Sequence, residues 1–147
     1  MAEFGEVLFH YEQSYSVIRL TCEKIKTEDR RKGGVCGFWS PKQVIDHLTG
    51  WMREALENFE KILAGETVDL EYDDDTFNAR AVADRVQLNW DESLADLDDA
   101  KSKMVQFIMR LSPEDLSKSV VYANWMEGMA EDYQLHNEQL QKWVREE

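Results

Sequence analysis

Three side chains in this sequence are of the types that could hold one metal ion together: His47, Asp132 and His136. Asp132 and His136 are four residues apart, and on an α-helix that spacing puts both on the same face, one turn apart. The face reads as the apolar one, because Met129, Tyr133, His136, Leu140 and Trp143 recur at spacings of four, three, four and three. His47 falls in similar company, among Val44, Leu48, Trp51 and Ala55. A carboxylate turned into a core is costly unless it is paired or coordinates a cation. Two accounts follow. Either the three residues bind a metal, or Asp132 pairs with His136 and His47 finds its hydrogen bond elsewhere.

The other chemically capable residues carry weaker signals. His10 lies beside Val7, Ser14 and Val17, off the apolar seam of its helix, and reads as a boundary histidine. Trp51, Trp125 and Tyr133 can line a pocket, although aromatic residues on apolar helix faces ordinarily belong to the core. The run Asp73-Asp74-Asp75 lacks the alternating ligands, glycine and closing glutamate of a calcium loop, so it reads as a solvated loop with a helix cap. Cys22 falls on an apolar face and Cys36 in a glycine-rich loop, and neither has the spacing of a zinc or redox motif. There is no phosphate-binding glycine loop, serine elbow or HExxH.

Charge narrows the partners. The 147 residues carry 30 Asp and Glu against 17 Lys and Arg, formally −13, a field that repels polyphosphates. Neither nucleic acid nor an anionic membrane is expected as a partner. Met1–Leu8 carries Glu3 and Glu6 and is no secretory signal, and no apolar run approaches the ~18 residues that span a bilayer. The expected compartment is cytoplasmic.

The elements that must position these residues are helices. Phe4, Leu8, Tyr11, Tyr15, Ile18, Cys22 and Ile25 make one seam, predicting a helix from about Phe4 to Lys26. A charged and glycine-rich loop follows, Thr27–Phe38. The second helix opens on Ser40, Pro41 and Gln43, an N-cap, a first-turn proline and a capping box, and should end at Gly65. Glu66–Trp90 is irregular and acidic, with a short helix over Phe77–Val86 behind an Asp75 or Thr76 cap. A connection that long points to a crossover between parallel neighbours. A third long helix is predicted over Asp91–Leu111, capped by Asn89 with Glu92. Ser112–Asp115 should form at most a short turn. The fourth helix should begin at Asn124 with Glu127 and continue to about Glu146. Val120, Val121 and Tyr122 are the one strand-like run, too short for a sheet. The expectation is a single all-α domain over residues 1–147, a four-helix bundle running up-down-down-up with a long crossover after the second helix.

Three segments in order resemble one family. Trp39-Ser40-Pro41-Lys42-Gln43-Val44-Ile45-Asp46-His47-Leu48 is similar to the start of the second helix in DinB-like four-helix proteins, the superfamily that includes YfiT-like metal-dependent hydrolases. Thr76-Phe77-Asn78-Ala79-Arg80-Ala81-Val82-Ala83 with Leu88-Asn89-Trp90 resembles their crossover. Asp132-Tyr133-Gln134-Leu135-His136-Asn137-Glu138-Gln139-Leu140 resembles their closing His-x-x-x-His segment. The resemblance covers roughly Glu6 to Arg145. It implies a site of three histidines, of which His47 matches the first, His136 the third, and Asp132 stands in the middle position. With that substitution the set becomes two histidines and one carboxylate, suited to zinc, nickel, iron or manganese, or else the metal is lost. The family also includes thiol-dependent transferases and ClbS-like proteins that protect cells from a genotoxic metabolite. The resemblance therefore implies a small-molecule hydrolase or thiol transferase in which the metal activates water or a thiol. Its alternatives are a metal-free protein that sequesters a small molecule, or a module whose apolar faces form a homodimer.

Overall fold

The computed structural model describes residues 3–144. Among them are six α-helices and no strand, only an isolated bridge between Cys36 and Trp39. The helices are α1 (Phe4–Glu23), α2 (Pro41–Leu63), α3 (Asp74–Ala83), α4 (Trp90–Met109), α5 (Pro113–Ser117) and α6 (Val121–Gln141). The chain divides into two compact units, Met1–Val44 with Ala123–Glu147, and Ile45–Tyr122. No helix among the described residues is long and apolar enough to cross a membrane.

In the first unit α1 lies along α6. The Tyr11 and Tyr15 rings pack on Tyr133 with centroids 5.6 and 5.9 Å away. His10 bonds Gln134 at 2.8 Å, and one to three turns further on Thr21 bonds Asn137 and Gln141. Residue number rises together on both helices, so they run parallel. The loop before α2 ends in the expected capping box. Ser40 Oγ accepts the Gln43 N–H, and Gln43 Oε1 accepts the Ser40 N–H.

In the second unit α2 and α4 are also parallel. Arg53 reaches Asp96 and Asp99, and six residues later Phe59 packs on Phe107, with centroids 6.3 Å apart. A parallel pair cannot be joined by a short turn, which accounts for the long connection from Glu66 to Trp90. Gly65 ends α2 at φ 84°, the left-handed value a C′ glycine supplies without strain. Asn89 and Glu92 form the expected capping box of α4.

Several boundaries differ from expectation, and α1 ends at Glu23 rather than near Lys26. The short crossover helix starts at Asp74 because Asp73, not Asp75 or Thr76, accepts the Thr76 N–H. Any of three consecutive aspartates can cap, so the sequence alone does not choose. Ser112 and Asp115 form a full capping box, and the expected short turn is the one-turn helix α5. Of the strand-like run Val120-Val121-Tyr122, the last two residues instead open α6, and Val120 lies exposed just before it. Ser119 Oγ accepts the Val121 N–H there, and Tyr122 is buried, with its ring edge on Phe59 at 5.0 Å. Burial of Tyr122 outweighs the weak helix propensity of Val121. α6 ends at Gln141, short of the expected end near Glu146, a residue outside the described ones.

Candidate functional site

His47 sits in the second unit, on α2 seven residues beyond the Ser40 cap, and is 5% exposed. Its Nδ1 lies 2.9 Å from Asn78 Oδ1 on α3. The same oxygen accepts the Trp51 indole N–H at 2.6 Å. Trp51 is one turn along α2 from His47, so a single amide oxygen ties two same-face side chains to the crossover helix.

Around that contact the side chains are aromatic and half-buried. The Trp51 and Phe77 rings lie 4.0 Å apart at 31°, and Tyr72 sets an edge on each, at 5.1 and 5.6 Å. The Tyr72 hydroxyl donates to Glu54 Oε2 at 2.6 Å and accepts from Asn58 Nδ2 at 2.8 Å. Burial first, and then the neighbouring Glu54 carboxylate, push the Tyr72 phenol up to about 12. It therefore stays a neutral strap between the irregular segment before α3 and α2.

Close helix packing makes this wall. A Cβ added at Gly50 would collide with Ala81 on α3, so α3 can lie this near α2 only because residue 50 has no side chain. Arg85, two residues past α3, and Arg53 on α2 share Asp96 of α4. That network fixes the C-terminal end of α3, and the Asn78 and Tyr72 bonds fix its beginning.

The α6 candidates belong to the first unit. His136 is buried, with Nδ1 2.7 Å from Gln139 Oε1. Tyr133 is buried, and its phenol is held well above the ordinary range by burial and by Tyr11, Tyr15 and Asp132 nearby. Trp125 is half-buried. Asp132 is half-buried rather than interior, which differs from the expectation that it shares the apolar face. Four residues turn a helix by about 400°, so Asp132 is displaced about 40° from His136, on the side away from Tyr133 and Leu140. It stands at the rim of the stripe. His10 is the boundary residue expected, bonded to Gln134 and 3.5 Å from Glu127.

The structure thus groups His47 with Trp51 in one unit, and places Asp132, His136, Tyr133 and Trp125 on α6 in the other. Among the described residues no three or more His, Cys, Asp or Glu side chains form a group that could hold a metal ion. The residue absent from the sequence-based site is Asn78, which is 31 positions from His47. Its only signal was membership of the crossover segment that resembles the family. Phe77 belongs to the same segment, and Tyr72 has no signal, since it falls on no long amphipathic seam.

The model of the DinB superfamily matches residues 10–140. No curated protein matches the sequence. Among solved structures the chain is similar to the colibactin self-resistance protein ClbS in complex with a dsDNA, at 17% identity and TM-score 0.82 over 94% of this chain and 93% of that one. It is similar to DfsB, the sibling lethal factor precursor, at 17% identity and TM-score 0.83 over 97% and 95%. A third likeness is to an uncharacterised protein from Escherichia coli UTI89, at 17% identity and TM-score 0.77 over 95% and 91%. At these identities the fold is what is shared.

Proposed function

From the premise that the chain belongs to the DinB superfamily, we propose that it binds a small organic molecule at the His47 wall without requiring a metal. One observation carries this reading. Trp51, Tyr72 and Phe77 form a half-exposed aromatic surface, and the polar groups beside it, His47 and Asn78, are bonded to each other and fixed in place. Small-molecule sites typically combine an apolar aromatic lining with a few oriented polar groups. The self-resistance named for ClbS is the kind of task such a site would serve: capture of a harmful small molecule. The fold we infer is a single four-helix bundle running up-down-down-up, which the two parallel pairs, α1 with α6 and α2 with α4, support.

The test is ligand-observed NMR of an aromatic fragment library against the untagged full chain. Fragments that bind the wild type should lose affinity in His47→Ala and Trp51→Ala and keep it in Trp125→Ala. Loss of ring stacking is expected to weaken binding by about three- to tenfold. Fragments that bind all three variants equally would place the site elsewhere.

A metal centre of His47, Asp132 and His136, holding zinc, nickel, iron or manganese, is the second reading. What favours it is that Nδ1 of each histidine is tied to an amide oxygen, the outer-shell arrangement common to ligating histidines. Against it, Asp132 is half-buried at the rim of the α6 stripe. Elemental analysis of untagged protein decides between the readings. If the second is right, Asp132→His will raise metal per chain and His136→Ala will abolish it. Near-zero occupancy in all forms favours the metal-free reading.

The expectation that nucleic acid is excluded needs correction in scope. ClbS, with this fold, was solved with a dsDNA, so the fold does not exclude duplex DNA. In this chain the formal charge of −13 alone opposes duplex DNA. A gel-shift titration at low salt tests that directly.

A further inference from the structure

We propose that the groove between α1 and α6 is a second small-molecule site, built for a hydroxyl-rich molecule that carries an amine, the chemistry of an amino sugar. The groove lies wholly in the first unit, has a volume of about 530 Å³, and shares no residue with the His47 wall. Polar rungs join the two parallel helices. His10 and Gln134 meet at 2.8 Å, and Thr21 meets Asn137 at 2.5 Å and Gln141 at 3.0 Å. Between these rungs, one turn past His10, stands Ser14, and there the rung is missing. Ser14 lines the groove and is only 6% exposed, yet its hydroxyl bonds no protein group among the described residues. Native proteins pair nearly all their buried polar side chains. A hydroxyl left open at the most buried point of a groove therefore marks the place of an occupant that completes it.

The lining says what that occupant is. Val17 is its one apolar residue and no aromatic ring lines it, so a flat apolar ligand finds no platform. No Lys or Arg lines it either, so a phosphate or carboxylate finds no counter-charge. Gln134 gives its Nε2 to His10 and Asn137 gives its Oδ1 to Thr21, which leaves a carbonyl oxygen and an NH2 group for the groove. Ser14 can both donate and accept. Neighbouring hydroxyls suit such a mixture, because each of them also donates and accepts. Glu138 adds the one carboxylate of the lining, and it pairs with no Lys or Arg among the described residues. In a chain of formal charge −13 that carboxylate favours a cation, and an ammonium group beside hydroxyls supplies it. The volume falls within the range of small-molecule sites, about 300–1,000 Å³.

The test is titration of the untagged full chain with glucosamine, glucose and glucuronate, followed in 15N–1H spectra of the side-chain amides. Glucosamine is expected to shift the NH2 resonances of Gln13, Gln134 and Asn137, which line the groove, and to leave that of Asn78 in place. Glucose should bind about two- to fivefold more weakly, the usual contribution of an exposed charge pair, and glucuronate should not bind. Ser14→Ala should weaken glucosamine about fivefold through loss of one hydrogen bond. The same variant should leave the urea midpoint unchanged or higher, since no protein bond is lost and alanine is the better helix former. A merely structural Ser14 would do the reverse, lowering the midpoint and sparing the sugar. Glu138→Gln should bring glucosamine down to the affinity of glucose. His47→Ala and Trp51→Ala should leave all three affinities unchanged, so this site and the His47 wall stand or fall separately. No shift with any of the three probes, glucuronate binding as tightly as glucosamine, or shifts confined to Asn78 overturns the proposal. Equal affinity of wild type for glucose and glucosamine overturns the requirement for an amine.

Discussion

Gly50→Ala should destabilise this protein, although helix propensity alone says the opposite. An alanine in a helix interior is favoured over glycine by about 0.5–1 kcal/mol. At residue 50 the added Cβ would fall well under 3.0 Å from the Ala81 Cβ and 3.5 Å from its Cα. Carbon atoms rest about 3.5–4.0 Å apart, so α3 would have to retreat by about 1 Å. Overpacking of this kind costs about 1–3 kcal/mol, and the net loss is expected at about 0.5–2 kcal/mol. For a chain near 150 residues each kcal/mol moves the melting temperature by about 2–4 °C, which gives a fall of roughly 1–8 °C. Gly128, on α6, has nothing within 4 Å of an added Cβ, so Gly128→Ala should gain the propensity term of about 0.5–1 kcal/mol.

Urea unfolding followed by circular dichroism reads both variants, and their opposite signs are the point of the comparison. A second readout connects packing to the site. If α3 retreats, the bonds from Trp51 and His47 to Asn78, now 2.6 and 2.9 Å, lengthen towards breaking. The Trp51 indole N–H resonance should shift in Gly50→Ala and stay put in Gly128→Ala. A Gly50→Ala protein as stable as wild type, or more so, would refute the claim that close approach of α2 and α3 needs glycine.

Three further outcomes are expected. Asp96→Ala leaves Arg53 and Arg85 without their shared carboxylate, and with these side chains 14–32% exposed the usual cost of a broken buried pair falls to about 1–2 kcal/mol in thermal or urea melts; Asp99→Ala, on the exposed side of the network, should change little. Alkaline titration followed by tyrosinate absorbance should start late: burial raises Tyr11, Tyr72, Tyr122 and Tyr133, with Tyr72 at about 12 against 10.0. Because the raised folded value means that the folded state holds its proton more tightly, this stabilisation is complete below pH 10 and is lost as pH rises through about 12; four tyrosines ionising near pH 10 in folded protein would contradict it. Asn89→Ala removes one half of the α4 capping box and should cost about 1 kcal/mol in the same melts, whereas Asn89→Asp should cost much less.

Much of the fold is legible because it is local. Ser40 with Gln43 and Asn89 with Glu92 each place a polar acceptor three residues ahead of a backbone donor, and both boxes form as read. The apolar seam of α1 is equally readable, although its buried side is turned slightly from the one inferred: Val7, Ser14 and Thr21 are buried, and Leu8 is only half-buried. Where local signals compete, the sequence under-determines the answer. Asp73, Asp74 and Asp75 are equivalent as caps until α3 docks on α2, and Val120-Val121-Tyr122 favours a strand until Tyr122 finds Phe59.

The candidate site divides along the same line. His47 and His136 were found because a histidine on an apolar stripe is conspicuous, and both are buried. Asp132 lies at the rim and not within the stripe, since an i, i+4 spacing places two residues near one another on a helix without saying which edge of the stripe the first one occupies. Asn78 was passed over for the opposite reason. Nothing within its own segment distinguishes it, and its role exists only when the crossover brings residue 78 to residues 47 and 51. The contacts that orient a functional side chain are made across elements, so a histidine's identity can be read from its own helix and its chemistry cannot. His47 meets Asn78 only because a glycine three residues along α2 lets α3 approach, and the indole one turn along α2 donates to the same amide oxygen.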